Sequence, residues 1–263
     1  LAELEAKLGD ALFVRGVEGV TPTTLGERLV APARRMAEHA AEVERAVSGV
    51  EAGPKGVVRV TAPPGVAFTL LAPFAARALA ALPDVRLEVV STVHYVDLVR
   101  READLAIRVD TGARPTAQRD LVVLATHTHR VAVFSTRALA ARLGPRCALA
   151  DVPWIGWAPP LEHLPPNPQL ASRIPGFRPA FASDDFIVQL RAAEAGVGAI
   201  VLGAMPPTFA LGELVELPIS LGPITSSMHL VAARSALAVP RVRAVAELLA
   251  RELAPPARRR RSA

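Results

Sequence analysis

The apolar positions of this chain change period several times, and each change marks an element. Leu1, Leu4 and Leu8 recur at spacings of three and four, one face of a short helix that Gly9 ends. Leu12 and Phe13 then read as buried anchors. Arg15-Gly16-Val17-Glu18-Gly19 is a basic hairpin tip whose glycines supply positive φ, and Val20-Thr21-Pro22 returns to Thr23, which is placed to cap a new helix. From Thr24 to about Val50 the apolar residues Met36, Ala40, Val43, Val47 and Val50 follow spacings of four, three, four and three. That is a heptad seam, expected to pack against the same helix of a second copy. Arg34, Arg35, Glu38, Glu42, Glu44 and Arg45 form its polar face, and Pro32 is expected to kink it. Gly49 to Gly56 reads as a hinge.

From Val57 the period alternates between that of strands and that of helices. Strands are expected at 57–62, 85–91, 104–109, 121–126, 130–134, 152–158, 177–182, 199–202, 213–217 and 227–233. Helices are expected at 66–82, broken or kinked at Pro73, and at 94–101, 136–143, 184–195 and 239–253. The long helix 184–195 would be capped by Ser183, with Asp184 and Asp185 in its first turn. Strands alternating with helices imply an α/β fold with a mainly parallel sheet. The proline-rich stretch 159–175 reads as a loop.

Composition narrows this picture. The 263 residues suit one to two domains, and half of them are apolar, ample for a core. A single cysteine, Cys147, excludes a disulfide framework and fits a reducing, cytoplasmic setting. No run approaches the roughly 20 apolar residues of a membrane span, and no signal peptide opens the chain. The formal charge of +5 is carried by arginine, Lys7 and Lys55 being the two lysines, and part of it sits in a basic tail at 256–263. Such an excess permits nucleic-acid binding without requiring it.

Catalytic chemistry finds little support. Asp184 and Asp185 are adjacent helix residues that point apart, and His127 and His129 face one side of a strand without a third metal ligand at a matching spacing. No phosphate-binding loop, dinucleotide fingerprint or nucleophile elbow is present. We therefore expect no enzyme activity, no metal and no cofactor. A ligand cleft is better supported, because open α/β sheets bind ligands at strand carboxyl ends facing helix N-termini. The candidates are Ala62, Pro63, Gly65, Val66 and Ala67 after the first strand, Ser91, Thr92 and His94 after the second, Ser183 and Asp184 before the helix 184–195, and Thr126 and His127 as further polar contacts. Helix-start N–H groups there would attract an anion such as a carboxylate.

The opening residues Leu1, Leu4, Glu5, Leu8, Gly9, Leu12, Phe13, Arg15, Gly19, Val20, Thr23 and Gly26 resemble the junction between DNA-binding domain and linker helix in LysR-type transcriptional regulators. The stretches 56–63, 71–74, 82–88, 95–99, 104–108, 190–198 and 212–217 resemble the effector-binding domain of the same family, which has a type 2 periplasmic-binding-protein-like fold. The resemblance implies the end of a winged helix-turn-helix at 1–23, truncated at its front, and a linker and dimerisation helix at 24–52. It implies an effector-binding domain at 57–255, with subdomain I at 57–126 and 234–255 and subdomain II at 127–233. The two subdomains would be joined by crossing strands near 126–130 and 231–234. The implied partners are promoter or operator DNA, contacted at Arg15 and Lys7, a small-molecule effector, a second copy in a homodimer or homotetramer, and RNA polymerase, with no membrane. Effector binding would change the subdomain angle and reposition the paired linker helices. Two departures from the pattern stand out. Relatives place a serine or threonine at the start of the first helix of the domain, where this chain has Pro63-Pro64-Gly65-Val66-Ala67, and the loop 159–175 has no clear counterpart. The fragment is expected to dimerise, and to bind DNA weakly and with little sequence preference. The alternative reading is a solute-binding protein of a transport system, which shares the fold.

Overall fold

The computed structural model describes residues 1–16, 19–47, 53–109, 119–203, 213–222 and 225–254, and the chain divides into two units, 1–53 and 54–263. In the first unit, α1 (Ala2–Leu8) ends on Gly9, whose φ of 73° is the left-handed geometry glycine accepts without strain. The strands β1 (Phe13–Gly16) and β2 (Gly19–Pro22) pair antiparallel, and α2 (Thr24–Val47) follows. Thr23 closes the unit: its hydroxyl accepts from the Gly26 N–H at 3.0 Å and donates to the Ala11 carbonyl at 2.8 Å. The Leu12 carbonyl packs so closely on Gly26 that no side chain fits there. Leu12 is buried, but Phe13, expected as a second anchor, is 38% exposed, because the hairpin turns it away. The apolar face Leu1, Leu4 and Leu8 is likewise exposed within this unit. The helix α2 runs unbroken through Pro32. Of its seam, Met36 and Ala40 are exposed; the side chains of Val43 and Val47, and all of Val50, lie outside the described residues, as do the tip residues 17–18, residues 49–52 of the hinge and the tail.

The second unit begins with β3 (Gly56–Ala62). A helical rod follows, made of α3 (Pro64–Val66), a π-helical segment Ala67–Leu71 and α4 (Ala72–Ala81). The wider π-turn lies directly before Pro73 and accommodates its missing N–H and its ring, where a break or kink was expected. The rod has the length and apolar character of a membrane span, contrary to the composition-based expectation, yet Leu70, Leu71, Phe74 and Ala78 are core residues beneath it. Next come β4 (Val85–Ser91), β5 (Leu105–Val109), β6 (Leu121–Ser135), α5 (Arg137–Leu143), β7 (Ile155–Trp157), α6 (Asn167–Ala171) and β8 (Phe181–Ser183). The chain continues through α7 (Phe186–Glu194), β9 (Ile200–Gly203), β10 (Val215–Glu216), β11 (Thr225–Ala233) and α8 (Pro240–Leu253).

The sheet order is β10-β6-β11-β5-β3-β4, with β9 also on β6. The strands β3, β4 and β5 pair in parallel, but β11 runs antiparallel to both β5 and β6, and β9 and β10 antiparallel to β6, so the sheet is mixed and not mainly parallel. The two strands expected at 121–126 and 130–134 are one strand of 15 residues. Its first part pairs with β11, and Val131 to Ser135 pair with β9 and β10. This one strand therefore belongs to two halves. The return occurs in β11, which begins at Thr225 and reaches β5 by Met228, earlier than the expected 231–234.

Each half has its own core. One gathers Val58, Leu70, Phe74, Leu105, Leu230 and Leu249, with α8 burying Val242 and Val245 as its period requires. The other gathers Val133, Trp154, Leu170 and Ala199 in one cluster and Ile155, Leu190, Ala193 and Ile200 in a second. The segment expected as a helix at 94–101 is a set of turns instead: Asp97 accepts from the N–H groups of Val99 and Arg100 at 2.9 and 3.1 Å, and Arg101 takes a φ of 57°. The loop 159–175 contains α6, absent from the sequence reading because prolines obscured its short apolar spacing.

Candidate functional site

A cavity of about 710 Å³ opens between the two halves of the second unit, within the range of small-molecule sites. One wall is the end of β3 and the start of α3, with the segment after β4 and the face of β5 that carries Arg108. The other wall brings Trp157 from β7, Leu164 to Pro166 and Gln169 from the 159–175 segment, and Phe186 from the start of α7. His129 and Val131 of β6 and Ser226 to Met228 of β11 form the floor, where the shared strands cross.

The candidate residues separate into two groups. Ala62, Pro63, Gly65, Val66, Thr92 and His94 line this cavity. The other six do not. Ala67 is 7% exposed and belongs to the core, because the π-turn rotates it inward. Ser91 is the exposed last residue of β4. Thr126 accepts or donates at 3.0 Å to Nδ1 of its cross-strand partner His229. His127 reaches the Leu253 carbonyl at 3.2 Å, at the end of α8. Ser183 and Asp184 lie before α7, but the cap is Asp185, whose Oδ1 accepts from the N–H groups of Ile187 and Val188 at 2.6 and 3.3 Å. The Ser183 hydroxyl accepts from the Asp185 N–H at 3.1 Å and so organises the turn, while Asp184 is exposed. The expected cap therefore moves two residues, from Ser183 to Asp185, and neither Asp184 nor Asp185 lies in the first turn of the helix, because the Asp185 carboxylate accepts from two of the free N–H groups.

Three polar residues that were not among the expected effector contacts stand at the cavity. Arg108 is the cation within D-L-A-I-R, and its guanidinium lies 4.9 Å from the centre of the Tyr95 ring. Burial is the main influence on it and lowers its pKa, while Tyr95 and Asp97 act in the opposite sense. A charged residue near the end of an apolar strand was the available signal. His129 stacks on His127, ring centres 6.0 Å apart. Its pKa is lowered, first by desolvation and then by the neighbouring charge of His127, so the ring is neutral at pH 7. Gly203 is required beside it, because a Cβ there would lie 2.5 Å from Nε2 of His129. Gln169 comes from the segment 159–175, which had no pattern to read. Among the described residues, Nδ1 of His129 and Oε1 of Gln169 are buried with no hydrogen-bond partner in the protein. No carboxylate appears among the residues described as lining the cavity.

The helix start that was expected to hold an anion is built differently. Pro64 opens α3 and has no N–H. The Phe186 ring crosses from the other half and lies 3.1–3.3 Å from where a Cβ on Gly65 would stand, so it covers that start.

The positions expected to touch DNA lie in the first unit. Arg15 is in β1, its side chain outside the description, and Lys7 on α1 is exposed with an ion pair to Glu3 at 3.0 Å.

Comparison with known proteins places this geometry. An HTH-type transcriptional regulator of Xanthomonas campestris pv. campestris is 32% identical over 142 residues, which is 54% of this chain and 40% of that one. The HTH-type transcriptional regulator CrgA of Neisseria meningitidis serogroup C is 33% identical over 115 residues, 42% of this chain and 38% of the relative. The matched stretch thus spans about two-fifths of the length of these curated relatives. The solved structure of CrgA, described as a LysR-type transcriptional regulator from Neisseria meningitidis, superposes with a TM-score of 0.61 at 23% identity, over 97% of this chain and 88% of that one, and so shares the fold. The LysR substrate binding domain model matches residues 51–254. With its two α/β halves, shared crossing strands and interlobe cavity, the chain belongs to the LysR substrate-binding domain family.

Proposed function

We propose that this protein is a cytoplasmic DNA-binding transcriptional regulator of the LysR type, and that the cavity between its halves holds a small-molecule effector that controls promoter binding. The observation that carries this is the cavity itself, set where two long strands pass from one half to the other, so that a ligand touching both walls biases their relative angle. A ligand shifts such an equilibrium only by its differential affinity for the two arrangements, and contacts to both Arg108 and Trp157 supply that difference. The cavity-lining candidates Ala62, Pro63, Gly65, Val66, Thr92 and His94 are the effector contacts in this reading.

Residues 1–23 form the end of a winged helix-turn-helix, in which Arg15 and Lys7 contact phosphates and thereby position the protein without specifying sequence. Residues 24–52 form the linker that pairs two copies, with Met36 at 72% exposure and Ala40 as its described seam residues. The partners are promoter DNA, a second copy in a dimer or tetramer, and RNA polymerase. The solute-binding reading is less favoured, because the matched relatives are named transcriptional regulators.

The test is chromatin immunoprecipitation of the protein expressed from its native gene, with and without candidate effectors. Enrichment at a small set of promoters, changed by ligand, is expected; uniform recovery of genomic DNA refutes the regulator reading. Sedimentation of M36E alongside the parent chain checks the seam. A dimer that the charge converts to monomer is expected, and an unchanged dimer refutes the seam.

A further inference from the structure

We infer that Phe186 is a clasp between the two halves: its ring lies flat on Gly65 and fixes their resting angle, so that the cavity widens only when the ring leaves Gly65. The inference rests on the effector reading for its regulatory meaning, but the contact itself is made by protein atoms alone. Two features point to it. The start of α3, Pro63-Pro64-Gly65, offers a ligand no hydroxyl, and Pro64 has no N–H. A large aromatic residue, Phe186, stands opposite it as the first residue of α7, partly exposed on the far wall. A Cβ on Gly65 would lie 3.1 Å from Cζ of Phe186 and 3.3 Å from both Cε1 and Cε2. Nearly equal distances to three ring atoms mean that the ring presents its face, since an edge-on approach would leave the flanking carbons well behind the tip. Glycine is the residue that permits this approach.

Both partners are held firmly by their own half. Phe186 packs on the core cluster of Ile155, Leu190 and Ile200. The turn before it is fixed by the Asp185 cap and by Gln189, 3% exposed, whose Nε2 donates to the Ser183 carbonyl at 2.7 Å. On the other side, the Thr69 hydroxyl donates to the Gly65 carbonyl at 2.7 Å, and the Ala67 N–H donates to the Pro63 carbonyl at 2.9 Å. Val66 packs on the core of the first half. A ring seated in one half therefore bears on a rigid glycine platform in the other. The angle between them changes at the shared strands β6 and β11, which act as the hinge. Because the ring meets Gly65 in the closed arrangement and not in an opened one, the contact favours closure before any ligand does. A ligand that needs a wider cavity must displace it. The bulk present at positions 65 and 186 together sets the resting angle.

The test is the distance between spin labels on the two halves, at A80C on α4 and A141C on α5, both exposed positions. C147S removes the one native cysteine. The labelled chain is co-expressed with an excess of C147S chain, which takes no label, so that distances within one chain are read, and no ligand is added. F186A is expected to broaden the distance distribution, because the clasp is gone. G65L places a side chain beneath the ring and is expected to shift the centre of the distribution. In F186A/G65L the leucine fills the space the ring vacates, and the distribution is expected to return toward that of the parent. Such compensation marks a contact between the halves, whereas separate damage to α3 and α7 would add. V188A, at a neighbouring position of α7 that is 47% exposed, is expected to leave the parental distribution unchanged. Thermal melts accompany each variant, and F186A decides alone where G65L does not fold. An F186A distribution as narrow and as centred as the parent's, or a G65L shift of equal size with and without the ring, overturns the inference. No effector enters the measurement, so that failure leaves the effector reading standing, while promoter occupancy that ignores every ligand counts against that reading and leaves the clasp in place.

Discussion

Asn167 supplies the most exacting test of the architecture. It sits at the start of α6, 7% exposed, and acts as a missing strand partner for β7. Its Oδ1 accepts from the Trp157 N–H at 3.0 Å and its Nδ2 donates to the Trp157 carbonyl at 2.9 Å. One side-chain amide thus satisfies both backbone groups of a residue on the cavity wall and fixes the segment 159–175 to the sheet. Asn167→Ala removes both partners. Each buried group left unpaired costs about 1–3 kcal/mol, so the two together cost about 2–4 kcal/mol once partial hydration is allowed for. For a unit of this size that corresponds to a fall in Tm of about 4–16 °C. Asn167→Asp separates the two bonds. Its ionised carboxylate accepts from the N–H but faces the Trp157 carbonyl without a proton to donate, so it is expected to destabilise at neutral pH. The protonated acid restores a donor. The folded-state pKa of that Asp is therefore raised above the unfolded value near 4, and the deficit relative to the parent shrinks as pH falls toward and below the raised value. Thermal melts of both variants between pH 4 and 8 provide the assay. Variants that melt within 1 °C of the parent refute the strand-partner role, as does an Asn167→Asp deficit that does not change with pH.

Three further outcomes follow from named contacts. The pKa of His129 is lowered by desolvation and by His127, so the unfolded chain takes up the proton more readily; stability present above pH about 6.5 is lost as pH falls through the folded value, and urea unfolding of H129Q is expected to show a flatter pH dependence between pH 5 and 7. Gly198→Ala would drive a methyl into the Pro153 carbonyl and against Ile155, beside the bonds Ala199 N–H to Pro153 O at 2.8 Å and Ile155 N–H to Ala199 O at 2.9 Å; a loss of about 2–4 kcal/mol in chemical unfolding is expected, and a loss below about 0.5 kcal/mol refutes the close approach. Glu88→Gln breaks the cross-strand pair with Arg59 between β4 and β3, where Glu88 is 44% exposed; solvent screening limits the cost to under about 1 kcal/mol, and a Tm shift above about 5 °C contradicts that accounting.

The sequence by itself determined the elements and their order wherever one period dominated. The glycine stop at Gly9, the Thr23 cap, the long helix α2 and the closing helix α8 were all legible, because capping chemistry and the 3.6-residue period act over a few neighbouring residues. The family resemblance carried the two-halved fold, and half of the cleft candidates, from Ala62 to Val66 with Thr92 and His94, proved to line the cavity. Only the tertiary structure decided the rest. Alternation reports which side of a strand faces the core, but not which strand lies beside it, so the antiparallel placement of β11 and the unity of β6 could not be read. Nor does spacing reveal that a π-turn rotates Ala67 into the core, or that α8 reaches back to occupy His127. The polar centre of the cavity gathers Arg108, His129 and Gln169 across 61 residues of sequence, from 108 to 169. Each alone is an ordinary polar residue. Their meeting depends on two halves closing on one pair of shared strands, a long-range arrangement that no local pattern of hydrophobic and polar positions encodes.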